Sequence, residues 1–346
     1  MAYSNINKPT DYFNTVLYSG TGAAQSITGV GFQPQILWQK SRSAAQNHRL
    51  MDIVRGNNLT LKPDTTLAEV ANSTTLDSDG FSFTDGSGEN ANDSGKTYVA
   101  WNWLAGGTGV SNTDGTITST VSANTTSGFS IVSYTGTGSV ATVGHGLGVA
   151  PNIVIVKQRT VAGNHWIMYH SALPSANYFL YLCDTDPQQT ATGFFNNTAP
   201  TSSVFTIGTD AQTNGNTNSL IAYCFAEKKG FSKFGSYTGN GSTDGTFVYT
   251  GFKPAWVMWK RTDTAGYDWD MYDTARDTYN VAFKELVANA NYAESSSTVL
   301  SLDILSNGFK LRTSNANGNA SGGTYIYMAF AENPLVAGNY VPTTAR

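Results

Sequence analysis

At 346 residues, with 40% apolar and 12% aromatic content, the chain has ample material for packed cores, yet only 13% of it is charged, about half the usual share. Its surface must therefore be covered by Ser, Thr, Asn and Gly, and the low charge does not signal disorder. A net charge of -4 with scattered lysines offers no basic field to a phosphate backbone, which argues against nucleic acid, and no apolar run is long enough to cross a bilayer as a helix.

The start, MAYSNINKPTDYF, lacks the basic and apolar regions of a secretory leader, so synthesis and residence in a cytoplasm are expected. Residues 1–10 read as a polar arm, lying on a neighbour or unordered. From there the chain repeats itself. FNTVLYSGTGAAQSITGVGFQPQILWQKSR at 13–42 has the plan of FSIVSYTGTGSVATVGHGLGVAPNIVIVKQR at 129–159 and of FSKFGSYTGNGSTDGTFVYTGFKPAWVMWKR at 231–261. In each, a Tyr and a Gly-x-Gly turn lead to a proline, and a lysine (Lys40, Lys157, Lys260) follows that proline by six residues. Such a period fixes the folding unit at about a hundred residues.

The first β repeat occupies 11–107, with strands expected at 15–19, 35–40, 49–53, 80–84 and 97–104, where Val, Ile, Tyr, Phe and Trp alternate with Gly, Asn, Asp and Ser punctuation. Small polar residues at 108–127 read as a linker with room for one edge strand at Ile117 and Val121. The second repeat is 128–229, the third 230–335, and 336–346 is a tail. Closing strands at 98–104, 220–226 and 325–331 put Trp103, Phe225 and Phe330 at equivalent positions. The strand after each proline is apolar on both faces and must be covered on both; Pro34, Pro151 and Pro254 suit a strand's first residue. The one helix candidate is 281–289, for which an extended reading competes. The fold expected is all-β: three tandem, mutually similar antiparallel β-sandwich domains of jelly-roll-like form.

Chemistry-bearing groups are sparse. His145, His165 and His170 fall in the second repeat, but a spacing of five puts the last two on opposite strand faces, poor geometry for joint ligation. They read as turn or strand histidines, and replacing His145 by Ala is expected to be nearly silent. Residues 90–97 imitate a phosphate loop without its first glycine or its helix. The Asp77/Asp79 and Asp85–Asp93 clusters offer calcium-type oxygens in no complete pattern, and Asp and Asn equally make turns. Asp52/Arg55 and Asp273/Arg276 share an Asp-x-x-Arg spacing that reads as structural, with His170 and Leu173 at that place in the second repeat. Cys183 and Cys224 read as buried free thiols. No catalytic residue, metal site or cofactor is expected, and the chain is read as not an enzyme. Trp166, Tyr169, Tyr267, Trp269 and Tyr272 are candidate surface contacts to glycan, with packing in the core or a subunit contact as the alternative.

The phrases NHRLMDIVRG, DSGKTYVAWNWLAGG, SNTDGTITSTVSANTTSGFSIVSYTGTG, VGHGLGVAPNIVIVK, IAYCFAEKKGFSKFGSYTGNG and TYIYMAFAENPL resemble a repeat domain of unknown activity abundant in virion structural proteins, often described as tail fibres, of tailed phages of marine bacteria. The resemblance runs from about Asp11 to Leu335. It implies a bacteriophage virion structural protein, made in the host cytoplasm and exposed on the particle, most simply as a tail fibre or appendage for host attachment. The alternative is a decoration or cement protein on the head. Implied partners are other virion proteins, a host surface glycan or receptor, and further copies in a homo-oligomer, with no nucleic acid or membrane insertion.

Overall fold

The computed structural model describes residues 4–56, 58–84 and 90–336, and their regular structure is mostly antiparallel strand, joined by turns and loops. One four-strand order occurs three times. An opening strand (Phe13–Ser19, Phe129–Thr135, Ser232–Thr238) pairs with a closing strand (Thr97–Trp103, Ser219–Phe225, Thr324–Pro334). The closing strand pairs on its other edge with the strand that follows the turn or carries the proline (Ile36–Ser41, Ile153–Gln158, Phe252–Arg261). A flanking strand (Arg49–Asp52, Trp166–His170, Trp269–Asp273) completes each sheet.

A smaller sheet covers one face of each large one. It comprises Gln25–Thr28, Gly80–Phe83 and Thr74–Asp77 in the first unit, Ala141–Gly144 with Val204–Ile207 in the second, and Phe247–Tyr249, Gly308–Leu311 and Leu302–Leu305 in the third. First strand lies beside last in each large sheet, and second beside next-to-last in each small one. The all-β sandwich architecture expected from the alternation is therefore present.

The large sheets are apolar on both faces, and the structure uses both. One face meets the small sheet to make a core inside each unit, around Leu37, Phe81 and Tyr98, around Val154, Phe205 and Ala222, and around Val257, Trp259 and Phe309. The opposite faces of all three sheets converge on one central core. The registers Ile36↔Trp103, Ile153↔Phe225 and Trp256↔Phe330 put the three closing-strand rings at the same place, as the repeat alignment expects. Trp103 and Phe225 both reach Phe330, with ring centroids 5.6 and 5.9 Å apart. The three sandwiches are thus fused around a shared interior and are not independent beads on a chain.

Several local expectations change. The 108–127 linker supplies two strands, Val110–Asn112 and Ser119–Asn124, which extend the second unit's large sheet beside its opening strand. Pro34 and Pro151 stand two residues before their strands, whereas Pro254 lies inside Phe252–Arg261, where register shifts on both sides of it relieve the missing donor. The 281–289 segment is extended, pairing Leu286 and Val287 with Met271 and Asp270, because its apolar residues are needed at a sheet edge. Residues 4–10 pack on this same chain, with Ile6 buried in the central core. The tail 337–346 and residues 85–89 of the acidic cluster lie outside the described residues.

Candidate functional site

What recurs in register is chemistry of the seams between units. His48, Trp166 and Trp269, which occupy equivalent places, each send a ring nitrogen to a carbonyl of the neighbouring unit: Val287 at 2.9 Å, Lys62 at 3.2 Å and Tyr181 at 2.9 Å. The shared lysines do the same. Lys40 donates to Asn291 O at 3.3 Å, Lys157 to Thr66 O at 3.3 Å and Lys260 to Thr185 O at 3.0 Å, and burial brings all three pKa values down to about 8. In every case the first unit reaches the third, the second reaches the first, and the third reaches the second. The three sandwiches therefore close into a ring.

The Asp-x-x-Arg pairs belong to this closure. Arg55 Nε meets Asp52 Oδ2 at 2.5 Å with both side chains fully buried, and Tyr223 of the second unit donates to that same oxygen at 2.7 Å. Arg55 also reaches Glu69, which holds Arg159 across the seam at 2.9 Å. The third-to-first seam repeats the set as Asp273, Arg276, Glu294 and Arg42, with Trp101 donating to Asp273 at 3.0 Å. At the second-to-third seam the equivalent residues are His170, Leu173, Gln188 and Thr262, all without formal charge. His170 donates to Tyr327 O at 3.3 Å, and burial pushes its pKa from 6.5 to about 4.

Four of the five aromatic residues offered as surface contacts are inside. Trp166 is held by Lys62, Trp269 by Tyr181, Tyr169 packs edge-on against Phe195, and Tyr272 stacks on Trp259 at 5.0 Å while donating to Leu300 O. They lie on strands covered on both faces, so an aromatic there is core material. Tyr267 alone of the five stays partly exposed, with the Arg261 guanidinium 4.5 Å above its ring.

The three histidines of the second unit do not meet. His165 bonds Gln212 and lies against Tyr181, whereas His145 is fully buried and ties Thr201 O to Leu147 N. The near-silent outcome expected for His145→Ala is therefore replaced by a loss, because the buried Leu147 amide would be left without its partner and the tie to the Thr201 carbonyl would be broken. Among the described residues no group of three or more His, Cys, Asp or Glu could hold a metal ion. Asp79 caps the Gly29 and Gly31 amides, and Asp93 pairs with Lys96, so these acids serve turns. Cys183 and Cys224 are free thiols, the second buried.

A cleft with polar chemistry lies in the third unit. A space of about 390 Å³ in the third unit is lined by Tyr267, Glu285, Ser297, Val299, Asn315 and Asn317. Behind it Asp270 is wholly buried; Asn317 Nδ2 donates to its Oδ1 at 2.6 Å, and Oδ2 has no donor. Burial, and then the neighbouring Glu285, raises the Asp270 pKa well above the usual carboxylate range. Amides, a carboxylate and a ring can hold hydroxyl groups. Arg49 and Ile167 stand at the equivalent of Asp270, so the cleft is particular to one unit.

Asn92, Asn214 and Asn319 form a recurring set that no motif marks. All are fully buried, and each accepts from the backbone of the turn after the opening strand, at Thr21, Thr137 and Asn240, while donating to carbonyls nearby. The signal was available, since each falls five residues before its closing strand.

A family model described as Domain of unknown function (DUF7483) matches residues 8–334, nearly the whole chain. No curated protein and no solved structure matches it.

Proposed function

The chain belongs to the DUF7483 family, and from that premise we propose that it is a non-enzymatic structural protein of a phage virion, exposed on the particle as a tail appendage for host-surface attachment. The observation that carries this reading is the closed ring of three like sandwiches, whose recurring residues are spent on seams, turns and cores. A body closed on a shared interior, with few charged residues in its composition, suits a particle-borne module. The long phrases that resemble virion repeat domains support the same assignment. Its partners on this reading are other virion proteins and a host surface glycan.

The ring also favours the second reading, decoration or cementing of the head, since three like units around one core present a near-threefold surface to a threefold site. Copy number per virion separates the two, because head decoration takes many dozens of copies and a tail appendage far fewer. Purified protein that holds to host cells supports attachment. Protein that ignores cells and binds emptied heads tightly removes it in favour of the head.

A further inference from the structure

We propose that the outer face of the third unit's small sheet is a binding platform for an uncharged polysaccharide, built on the rings of Phe247 and Tyr249. This deepens the attachment reading by naming a ligand class and a place, and it rests on that reading for its biological setting.

The three units serve as controls for one another. In the small sheets the inward pairs Ile27↔Phe81, Val143↔Phe205 and Val248↔Phe309 correspond. The residues on either side of the first member point outward: Ser26 and Thr28 in the first unit, Thr142 and Gly144 in the second, Phe247 and Tyr249 in the third. The same sheet therefore forms with hydroxyls or with no side chain there, and folding does not call for rings. In the second unit this edge is also covered, since Thr142 exchanges hydrogen bonds with Thr116 and a β-carbon on Gly144 would strike Asn112 Oδ1 at 1.7 Å. In the third unit the 247–249 strand is a sheet edge with no further strand beside it among the described residues, and its rings are 44% and 53% exposed. Uncovered aromatics on an edge invite aggregation, a liability that calls for an explanation in terms of what they touch.

Their setting indicates the ligand. Tyr249 stands opposite Gly308, and a β-carbon on Gly308 would lie 3.1 Å from Phe247 Cε2, so the Phe247 ring lies against the glycine and still keeps much of its surface exposed. Rings on alternate residues of a strand stand about 7 Å apart, a spacing suited to stacking on sugar faces along a chain. The neighbouring charges are tied to each other: Asp244 to Lys310 at 2.6 Å and to Arg312 at 3.1 Å, and Arg312 to Asp303 at 2.6 Å. Two acids and two bases cancel, which gives an acidic polymer or an anionic lipid surface no field to follow, while their polar atoms can still share hydrogen bonds with hydroxyls. Two rings are also far short of the roughly 800 Å² per partner of a stable protein interface.

The test is affinity electrophoresis of the full chain in gels containing a β-1,4-glucan, a β-1,3-glucan or a galactomannan, with alginate as the acidic contrast. The variant Phe247→Ser with Tyr249→Thr copies the first unit's outward pair, so its melting curve should match that of the parent. Retardation by at least one neutral polymer that weakens by about tenfold or more in the variant, as expected for loss of two stacking rings, supports the platform. Retardation by alginate alone, equal retardation of both proteins, or none in any gel overturns it. Whole-cell binding is read separately. A parent held in the gels but not by cells defeats the attachment reading and leaves the platform, whereas cells that hold both proteins equally defeat the platform and leave attachment.

Discussion

His170 shows how much one buried side chain can govern. It occupies the place of Asp52 and Asp273, and it faces the Tyr327 carbonyl with no charged partner. Its folded pKa is about 4 against 6.5 unfolded, so above pH 6.5 both states are neutral there and no penalty arises. As pH falls from 6.5 towards 4 the unfolded chain takes up a proton that the folded chain refuses, and stability drops by roughly 3 kcal/mol at this one site. Asp64, which burial raises to about 7, works the other way throughout this window, so the comparison must be between variants. Denaturant titrations of the parent and of His170→Gln should converge as pH is lowered from 7 to 4.5, the variant losing less. Parallel curves would show that the imidazole does not titrate as its burial requires. The sequence marked His170 as the odd member of its alignment column, but burial at a seam was not readable, because nothing local to Trp166–His170 says which surface will cover it.

At the scale of elements, the seams divide into two that carry a buried ion network and one that does not. Removing one member, as in Asp273→Ala, strands Arg276 in the interior and should cost about 3–5 kcal/mol. Converting the whole first-to-second set to the neutral one, with Asp52→His, Arg55→Leu, Glu69→Gln and Arg159→Thr together, should cost much less than the single removal, since a complete uncharged replacement of a buried ion network is often close to neutral. Equilibrium unfolding of the two proteins decides, and a fourfold variant less stable than the single one would contradict the reading of the seams as interchangeable. These elements also show what was legible. Strand positions followed from alternation, and the two-faced burial of the strands at Ile153–Gln158 and Trp256–Trp259 was stated from composition. The identity of the second covering layer was not, because a strand apolar on both faces fits a sheet between helices, a stack of sandwiches or a closed ring equally well. That ambiguity is why Trp166, Tyr169, Trp269 and Tyr272 were offered to a ligand when they are interior, and why Phe247 and Tyr249 drew no notice.

For the whole molecule, the seam without charges is also the one whose two units are joined by the shortest stretch of chain. Only Ala226 to Phe231 separates the closing strand of the second unit from the opening strand of the third, whereas residues 104–128 intervene between the first and second, and the third and first meet with no direct link. A covalent tether keeps its two ends at high effective concentration and lessens the need for attraction between them. Where the chain itself does this work, the ionic clasp is missing; where it is long or absent, the clasp is present. A protease site inserted at 228–230 should therefore yield two pieces that part at lower denaturant than the pieces from a cut at 113–115, even though either pair must give up the same kind of central contact. The molecule then behaves as a bracelet with two fastened joints and one sewn joint, and the sewn one is where unpicking a single peptide bond would let it fall open.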